Sequence, residues 1–174
     1  MKILLTGATG YVGKRLLPFL VNEGHEVICS VRNRSRFSPG DEIEDKIQVV
    51  EVDFLEPATF SNIPDGIDAA YYLIHSMSST IGDFSKLEAQ TAENFNNYAQ
   101  KTGIKQVIYL SGISNDSKMS KHISSRKNVE EILGKGGFNL TVLRAGIIVG
   151  SGSASFEIIR DLVEKLPVMV TPKW

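Results

Sequence analysis

Three glycines near the start of the chain are the feature that most constrains its fold. Gly7, Gly10 and Gly13 lie in the stretch LLTGATGYVGKRLLPFL, between a short apolar run and a segment in which leucines recur at helical spacing. A glycine-rich turn between a first strand and a first helix lets a phosphate group approach the backbone amides at the helix N-terminus. The pattern therefore predicts a nucleotide-binding turn, and the alternative is a tight loop that holds no ligand.

Segments with strand-like and helix-like patterns alternate along the rest of the chain. This alternation indicates parallel strands joined by right-handed crossovers. The predicted fold class is therefore α/β: a doubly wound, mostly parallel sheet with helices on both faces, in three layers. The predicted strands are 3–6, 26–31, 47–52, 68–74, 106–110, one from about 140 and a short one at 168–170. The predicted helices are one through 16–21, a short one after Pro57, 84–101, 120–133 and 156–166. Residues 35–45 are predicted to form a mobile loop.

Composition narrows the partners that we expect. Lys and Arg number 19 and Asp and Glu number 20, so the formal net charge of −1 gives no overall attraction to nucleic acid or to an acidic membrane. A single cysteine, Cys29, excludes an intramolecular disulfide, and its place in an apolar run favours a buried, inert thiol. No targeting pattern, membrane-span pattern or metal-ligand spacing is evident in the sequence, so we predict a cytoplasmic location with no metal, membrane or nucleic-acid partner.

Several motifs together resemble one known superfamily. The stretch TGATGYVG has the spacing Gly-x-x-Gly-x-x-Gly, VDF follows the third predicted strand, the fourth predicted strand is apolar, and YLSGIS stands at the fifth. These motifs resemble the extended and atypical branches of the short-chain dehydrogenase/reductase superfamily, including NmrA-like and NAD-dependent epimerase/dehydratase-like proteins. The resemblance covers essentially the whole chain.

The resemblance implies a fold and a cofactor site. It implies an NAD(P)-binding Rossmann domain, which we place at residues 1–150, followed at 151–174 by the start of a C-terminal region in a chain that we expect to be truncated. In this superfamily an aspartate after the third strand touches the adenine amine. The matching residue is Asp53, and the alternative of a turn or capping aspartate is compatible with that role. The implied cofactor-binding residues are Gly7, Thr9, Gly10, Tyr11, Val12, Gly13, Arg32, Asp53, Phe54 and His75.

His75 is included because of its place after the fourth predicted strand. The nicotinamide half of a dinucleotide should lie at the carboxyl edge of that strand. His75 and the neighbouring Ser76 are therefore candidates for contact with ribose or substrate, and the alternative is a plain loop.

The segment after the second predicted strand bears on the choice of cofactor. NAD-binding proteins usually present a carboxylate there to the ribose 2′-hydroxyl. This chain instead reads VRNRSRF, with Arg32, Arg34 and Arg36 and no acid. Because a guanidinium group matches a 2′-phosphate in charge and geometry, we predict NADP rather than NAD, with Arg32 as the leading contact and Arg34 or Ser35 in support. The alternative is a solvated basic loop.

The expected catalytic positions depart from the family pattern. Catalytic members use a serine at the end of the fifth strand and a Tyr-x-x-x-Lys pair on the next helix. The matching residues here are Ser111, His122 and Arg126, so the tyrosine and the lysine are both replaced. Ser111 and His122 could polarise a carbonyl while Arg126 holds cofactor or substrate, and the alternative is a polar helix face that belongs to no site. Tyr109 lies too early in the strand and is expected to be a core residue.

Two functional hypotheses follow from these residues. The first is an NADP-dependent reductase or epimerase acting on an unidentified small molecule. The second is an NADPH-binding sensor or assembly protein without turnover, which the missing tyrosine and lysine favour. A homodimer is a further expectation, because the helices after the fourth and fifth strands often form a dimer interface in this superfamily.

Overall fold

Strands and helices alternate along the chain in the computed structural model, which describes residues 1–75, 84–113 and 121–168. Within these residues the strands are β1 (Lys2–Thr6), β2 (Glu26–Val31), β3 (Ile47–Glu51), β4 (Ala69–Tyr72), β5 (Gln106–Gly112) and β6 (Asn139–Ala145). The α-helices are α1 (Tyr11–Asn22), α2 (Asp41–Glu44), α3 (Phe84–Thr102), α4 (Lys121–Leu133) and α5 (Ala154–Lys165), and two 3₁₀ helices span Arg34–Arg36 and Pro57–Asn62.

The strands form one sheet in the order β3-β2-β1-β4-β5-β6. The pairs β2–β3, β1–β2, β1–β4 and β4–β5 are all parallel. The order reverses between β1 and β4, and a reversal of this kind opens a crevice at the carboxyl ends of the two strands. The predicted doubly wound, mostly parallel sheet is confirmed, and its order locates the edge where a ligand would bind.

Apolar side chains of the central strands lie alternately on the two faces of the sheet, where they pack into two separate cores. Ile3 and Leu5 pack on one face with Leu17 and Leu20 of α1. Leu4 lies on the other face, in the core that contains residues of α3 and α4 such as Phe95 and Leu133. Since neighbouring side chains of a strand point to opposite faces, a continuous apolar run is what a strand covered on both faces requires.

The polar segment predicted as a mobile loop at 35–45 contains two short helices instead. The Asn33 side chain accepts hydrogen bonds from the backbone and the hydroxyl of Ser35, which closes the 3₁₀ turn. Phe37 and Ile43 anchor the segment by packing against the α1 core. Three acidic residues occupy the first turn of α2, where the helix dipole favours negative charge. The prediction of a mobile loop was therefore wrong about local structure.

The chain divides into two compact units, one spanning Met1–Arg144 and the other beginning at Ala145. The predicted domain boundary after residue 150 stays a prediction. The short strand predicted at 168–170 lies largely outside the described residues, which end at Val168. In the described part of the chain, no helix is both long enough and apolar enough to cross a membrane.

Candidate dinucleotide site and the adjoining edge of the sheet

The three glycines of the first turn differ in what a side chain would meet at each position. Gly7 has a φ of +66°, and a Cβ atom placed on it would lie 2.6 Å from the carbonyl oxygen of Leu73. A Cβ on Gly13 would lie 2.3 Å from the oxygen of Gly7, so α1 could not pack so closely on the turn. A Cβ on Gly10 would meet, among the described residues, just that same oxygen at 3.2 Å. Packing therefore explains the first and third glycines, whereas Gly10 is exposed and a side chain there would crowd a single backbone oxygen.

The N-terminus of α1 at Gly10 suits an anion. Gly10 is the N-cap, it carries no capping side chain, and no acidic residue occupies the first helical turn. The free amides of a first turn and the positive end of the helix dipole together favour a phosphate group. Thr9 is exposed beside this turn, the Tyr11 ring lies under the Arg15 guanidinium at 4.3 Å, and Val12 is half-buried. The geometry of the turn fits the pyrophosphate of a dinucleotide.

The arginine-rich segment follows β2 at the same edge of the sheet. Arg32, Arg34 and Arg36 are all exposed, and none of them pairs with a carboxylate in the described part of the chain. The structure also places an acidic residue, Glu51, beside this segment, although Glu51 is distant in sequence. Glu51 ends β3 beside Val31, and its carboxylate accepts a 2.7 Å hydrogen bond from the backbone amide of Arg34.

The adenine-side candidates have structural roles of their own. The Asp53 carboxylate accepts a hydrogen bond from the Leu55 amide at 2.9 Å, which makes it a turn aspartate, and the side chain remains half-buried. The Phe54 side chain is buried between the rings of Phe60 and Phe95, so that any contact it makes with a cofactor would be through the backbone.

A buried carboxylate joins three elements where β4 ends. One carboxylate oxygen of Glu88, in the second turn of α3, lies 2.7 Å from Nδ1 of His75. Its other oxygen accepts a 2.5 Å hydrogen bond from the hydroxyl of Ser125 on α4. Glu88 and Ser125 are both buried, whereas the His75 side chain is one-quarter exposed. His75, predicted as a ribose or substrate contact, thus contacts Glu88 through Nδ1, while part of its side chain is exposed.

Two buried tyrosines lie in the field of this carboxylate. Burial raises the pKa of Tyr109 to about 12, with Glu88 adding to the rise and the charge of Arg126 opposing it. Burial also raises the pKa of Tyr72 well above its usual range, again with a contribution from Glu88. Both phenols therefore stay protonated at neutral pH. Tyr109 is a core residue as predicted, and its hydroxyl donates to the backbone oxygen of Arg126.

The predicted catalytic residues lie beside this network. Ser111 is buried near the end of β5, where it lines a cavity of about 240 Å³ together with Lys127 and the ion-paired Glu130 and Arg144. The Arg126 side chain packs against Gly112, since a Cβ there would lie 3.6 Å from its Cδ. The structure thus brings Ser111 and Arg126 to one edge. His122 lies in the first turn of α4, and its side chain is outside the described part of the structure.

A match to a protein-family model identifies the family to which this chain belongs. The model of a family described as NAD(P)H-binding matches residues 7–164, from the first glycine of the turn into α5. The chain belongs to the NAD(P)H-binding family.

The relatives of this NAD(P)H-binding chain include oxidoreductases and an assembly protein. An NmrA-like family domain-containing oxidoreductase, flvB of Aspergillus flavus, is 27% identical over 86% of this chain and 48% of its own length. The divinyl chlorophyllide a 8-vinyl-reductase, chloroplastic, of Zea mays is 29% identical over 75% of this chain and 35% of its own length. The photosystem II assembly factor Ycf39 of Synechocystis is 24% identical over 86% and 46%. The chain thus spans between about a third and a half of the length of these relatives.

A solved structure supports the same placement. A Bacillus halodurans protein described as an NAD-dependent epimerase/dehydratase superposes with a TM-score of 0.72, at 25% identity, over 88% of this chain and 74% of its own. The predicted resemblance to NmrA-like and epimerase/dehydratase-type short-chain dehydrogenase/reductases is therefore confirmed.

Sequence reasoning missed Glu88, Ser125 and Glu51. Glu88 lies within the predicted helix 84–101, where it precedes the buried Thr91, Ala92 and Phe95 at helical spacing. A carboxylate in an apolar stripe was the signal that could have revealed it. Glu51 lies on a different strand from the arginines, and no local pattern joins the two.

Proposed function

We propose that this NAD(P)H-binding chain binds NADP(H) at the glycine turn and belongs to a reductase or epimerase that acts on a small molecule. The observation that carries the proposal is the geometry at Gly10. Gly10 is exposed, a Cβ there would meet a single backbone oxygen among the described residues, and the residue stands at a helix N-terminus that has no side-chain cap. Gly7, Thr9, Gly10 and the first-turn amides of α1 would hold the pyrophosphate, and Asp53 would reach the adenine. When bound, the nicotinamide supplies or accepts a hydride.

The preference for NADP(H) rests on the charge balance after β2. The segment carries three exposed arginines, and Glu51 contacts it through a hydrogen bond that its carboxylate accepts from the backbone amide of Arg34. A 2′-phosphate brings additional negative charge and several acceptor oxygens, which an arginine can bind in bidentate fashion. We assign this role first to Arg32, because it directly follows β2.

The substrate side would lie at the ends of β4 and β5. There, Ser111 and His122 would polarise a carbonyl oxygen of the substrate, and Arg126 would hold an anionic group of cofactor or substrate. The unidentified substrate, the cytoplasmic location and the homodimer are part of the same proposal.

The second candidate function is cofactor binding without turnover. It is favoured by the replacement of the Tyr-x-x-x-Lys pair by His122 and Arg126, and by the burial of Ser111, which is 2% exposed. One relative of this chain is described as a photosystem II assembly factor. A sensor of this kind must bind NADPH and NADP⁺ with different affinities, because a ligand pair bound equally shifts no equilibrium.

Calorimetric titration with NADPH, NADP⁺ and NADH tests the proposal. We expect NADPH to bind at least tenfold more tightly than NADH. Absence of binding by any dinucleotide would contradict the assignment of the glycine turn. Equal affinity for NADPH and NADH would contradict the role of the arginines alone. A large difference between NADPH and NADP⁺ would favour the sensor over the enzyme.

A further inference from the structure

The place of His75 in the fold connects it with both halves of the proposed site. β4 lies between β1, which leads into the glycine turn, and β5, which leads to Ser111. Tyr72, the last residue of β4, pairs with Tyr109 in the sheet; His75 follows Tyr72 by three residues, and Gly112, the last residue of β5, follows Tyr109 by three. The Arg126 side chain packs on Gly112. His75 therefore stands at the point where the strand order reverses, next to the residues proposed to hold the substrate.

The contacts of His75 leave one ring nitrogen available. Nδ1 faces the Glu88 carboxylate at 2.7 Å, whereas Nε2 has no hydrogen-bond partner in the described part of the chain. An ionised carboxylate has no proton to donate, and with Glu88 in that form the ring donates from Nδ1. A histidine whose Nδ1–H is held in this way exchanges its other proton at Nε2.

Glu88 is itself fixed from a second direction. Its other oxygen accepts from Ser125, which is 1% exposed, and the Glu88 residue is 5% exposed. A carboxylate buried to this degree is costly unless it is paired and hydrogen-bonded. Contacts from His75, in the segment after β4, and from Ser125 of α4 meet that requirement, and they hold the carboxylate in one orientation.

We propose that His75 exchanges a proton with an oxygen atom of the substrate through Nε2, and that Glu88 is the residue that positions its imidazole ring. The proposal rests on the proposed function, since the hydride partner is the reduced nicotinamide dinucleotide. In the reducing direction, a C–H bond of the reduced nicotinamide would break as that ring is oxidised, the hydride would form a C–H bond at the carbonyl carbon, and the π electrons of the C=O bond would move to oxygen. That oxygen takes the proton from Nε2 of the imidazolium, which becomes a neutral ring with its proton on Nδ1. The oxidising direction is the reverse.

Neighbouring side chains suit His75 for this task. The phenols of Tyr72 and Tyr109 are buried and are held protonated, and the cation of Arg126 is permanent. Of these side chains, the imidazole is therefore the one that can both give and take a proton.

Nuclear magnetic resonance of the imidazole rings tests the proposal without a substrate. The chain has three histidines, so long-range ¹H–¹⁵N spectra are simple and can be assigned with His75→Gln and His25→Gln. We expect the neutral ring of His75 to carry its proton on Nδ1 and to leave Nε2 without one. Glu88→Met should move the proton of the neutral ring to Nε2, whereas Glu88→Gln, which keeps an acceptor oxygen, should preserve Nδ1–H. The matched control Glu93→Met, at an exposed position of α3, should change nothing.

Addition of NADPH to the labelled protein provides the second readout. We expect the resonances of His75 to shift, while those of His25, at the opposite end of the sheet before β2, stay in place. A neutral His75 with a bare Nδ1 in the unmutated protein would overturn the role of Glu88. NADPH that binds in the calorimeter without moving the His75 resonances would overturn the role of His75 and leave the proposed function standing. If calorimetry shows no binding of any dinucleotide, both the proposed function and the role of His75 are contradicted.

Discussion

Gly10 is the residue at which ligand binding and folding can be separated by substitution. Gly10→Val would place a branched side chain in the space proposed for the pyrophosphate. We expect calorimetry to show a loss of NADPH affinity of about a hundredfold, which is ~2.7 kcal/mol. The folding cost should be about 1 kcal/mol, because the new Cβ meets a single backbone oxygen at 3.2 Å.

Gly134→Val is the matched control for this change. A Cβ at Gly134 would lie 3.3 Å from the oxygen of Glu130, which is nearly the same crowding, but at the end of α4. Both variants should lose similar stability in urea titrations, and the control should keep its affinity for NADPH. A folded Gly10→Val protein with unchanged affinity would show that the turn is not the binding site.

The buried Cys29 thiol makes the free energy of unfolding depend on pH. Burial raises the pKa of Cys29 from 9.0 to about 12. Above pH 9 the unfolded chain therefore releases a proton that the folded chain retains, so the free energy of unfolding falls as the pH rises through this window. Between pH 9 and 10 the loss should be about 1 kcal/mol greater in the unmutated protein than in Cys29→Ala. Parallel pH profiles of the two proteins would contradict the pKa assignment.

Single residues also show where sequence reasoning succeeds. Cys29 and Tyr109 were correctly predicted as buried, because a continuous apolar run requires cover on both faces of the strand. Glu88 was missed because the burial of a carboxylate depends on partners from two other elements. His75 lies 13 residues before it and Ser125 lies 37 residues after it.

At the scale of elements, the proposed preference for NADP(H) rests on the segment between β2 and β3. Arg32→Ala should weaken NADPH binding by about tenfold, because one charge-assisted contact with a phosphate is worth ~1.5 kcal/mol or more. NADH lacks the 2′-phosphate, so its affinity should change by less than about twofold. Titration of both cofactors measures the ratio directly.

Arg36→Ala serves as the control for Arg32→Ala, since it removes an equally exposed guanidinium from the same segment, four residues further from β2. Equal losses for NADPH and NADH in Arg32→Ala would assign Arg32 to the solvated surface. Equal NADPH losses in the two variants would indicate a diffuse electrostatic effect in place of a specific contact.

The boundaries of the elements themselves were largely readable from local patterns. The residues predicted for the second strand are those of β2, and the predicted long helix 84–101 ends one residue before α3 does. These segments carry their apolar period in their own sequence. The 35–45 segment was misjudged because its helices depend on local side-chain bonds and on two apolar anchors, Phe37 and Ile43, within a polar stretch.

At the scale of the whole molecule, the fold class followed from the alternation of strands and helices, and the strand order added what local patterns could not. The order puts β4 between β1 and β5, and so joins the glycine turn, His75 and Ser111 along one edge. The contact of Glu51 with the arginine segment likewise depends on the pairing of β3 with β2. Local pattern predicts that these elements exist, whereas their juxtaposition is a property of the assembled sheet.

Ligand binding at that edge should stabilise the unit Met1–Arg144 as a whole, because β1, α1, β2 and β4 all meet there. NADPH at a hundred times its dissociation constant should add ~2.7 kcal/mol to the free energy of unfolding. For a chain of this size that corresponds to a rise of about 5–10 °C in Tm by differential scanning calorimetry. NADH at the same concentration should give a smaller rise, and Gly10→Val should abolish the NADPH effect while Gly134→Val retains it. A cofactor that binds in titration but leaves the Tm unchanged would contradict binding at this edge, because a ligand held between the central strands cannot bind the unfolded chain equally well.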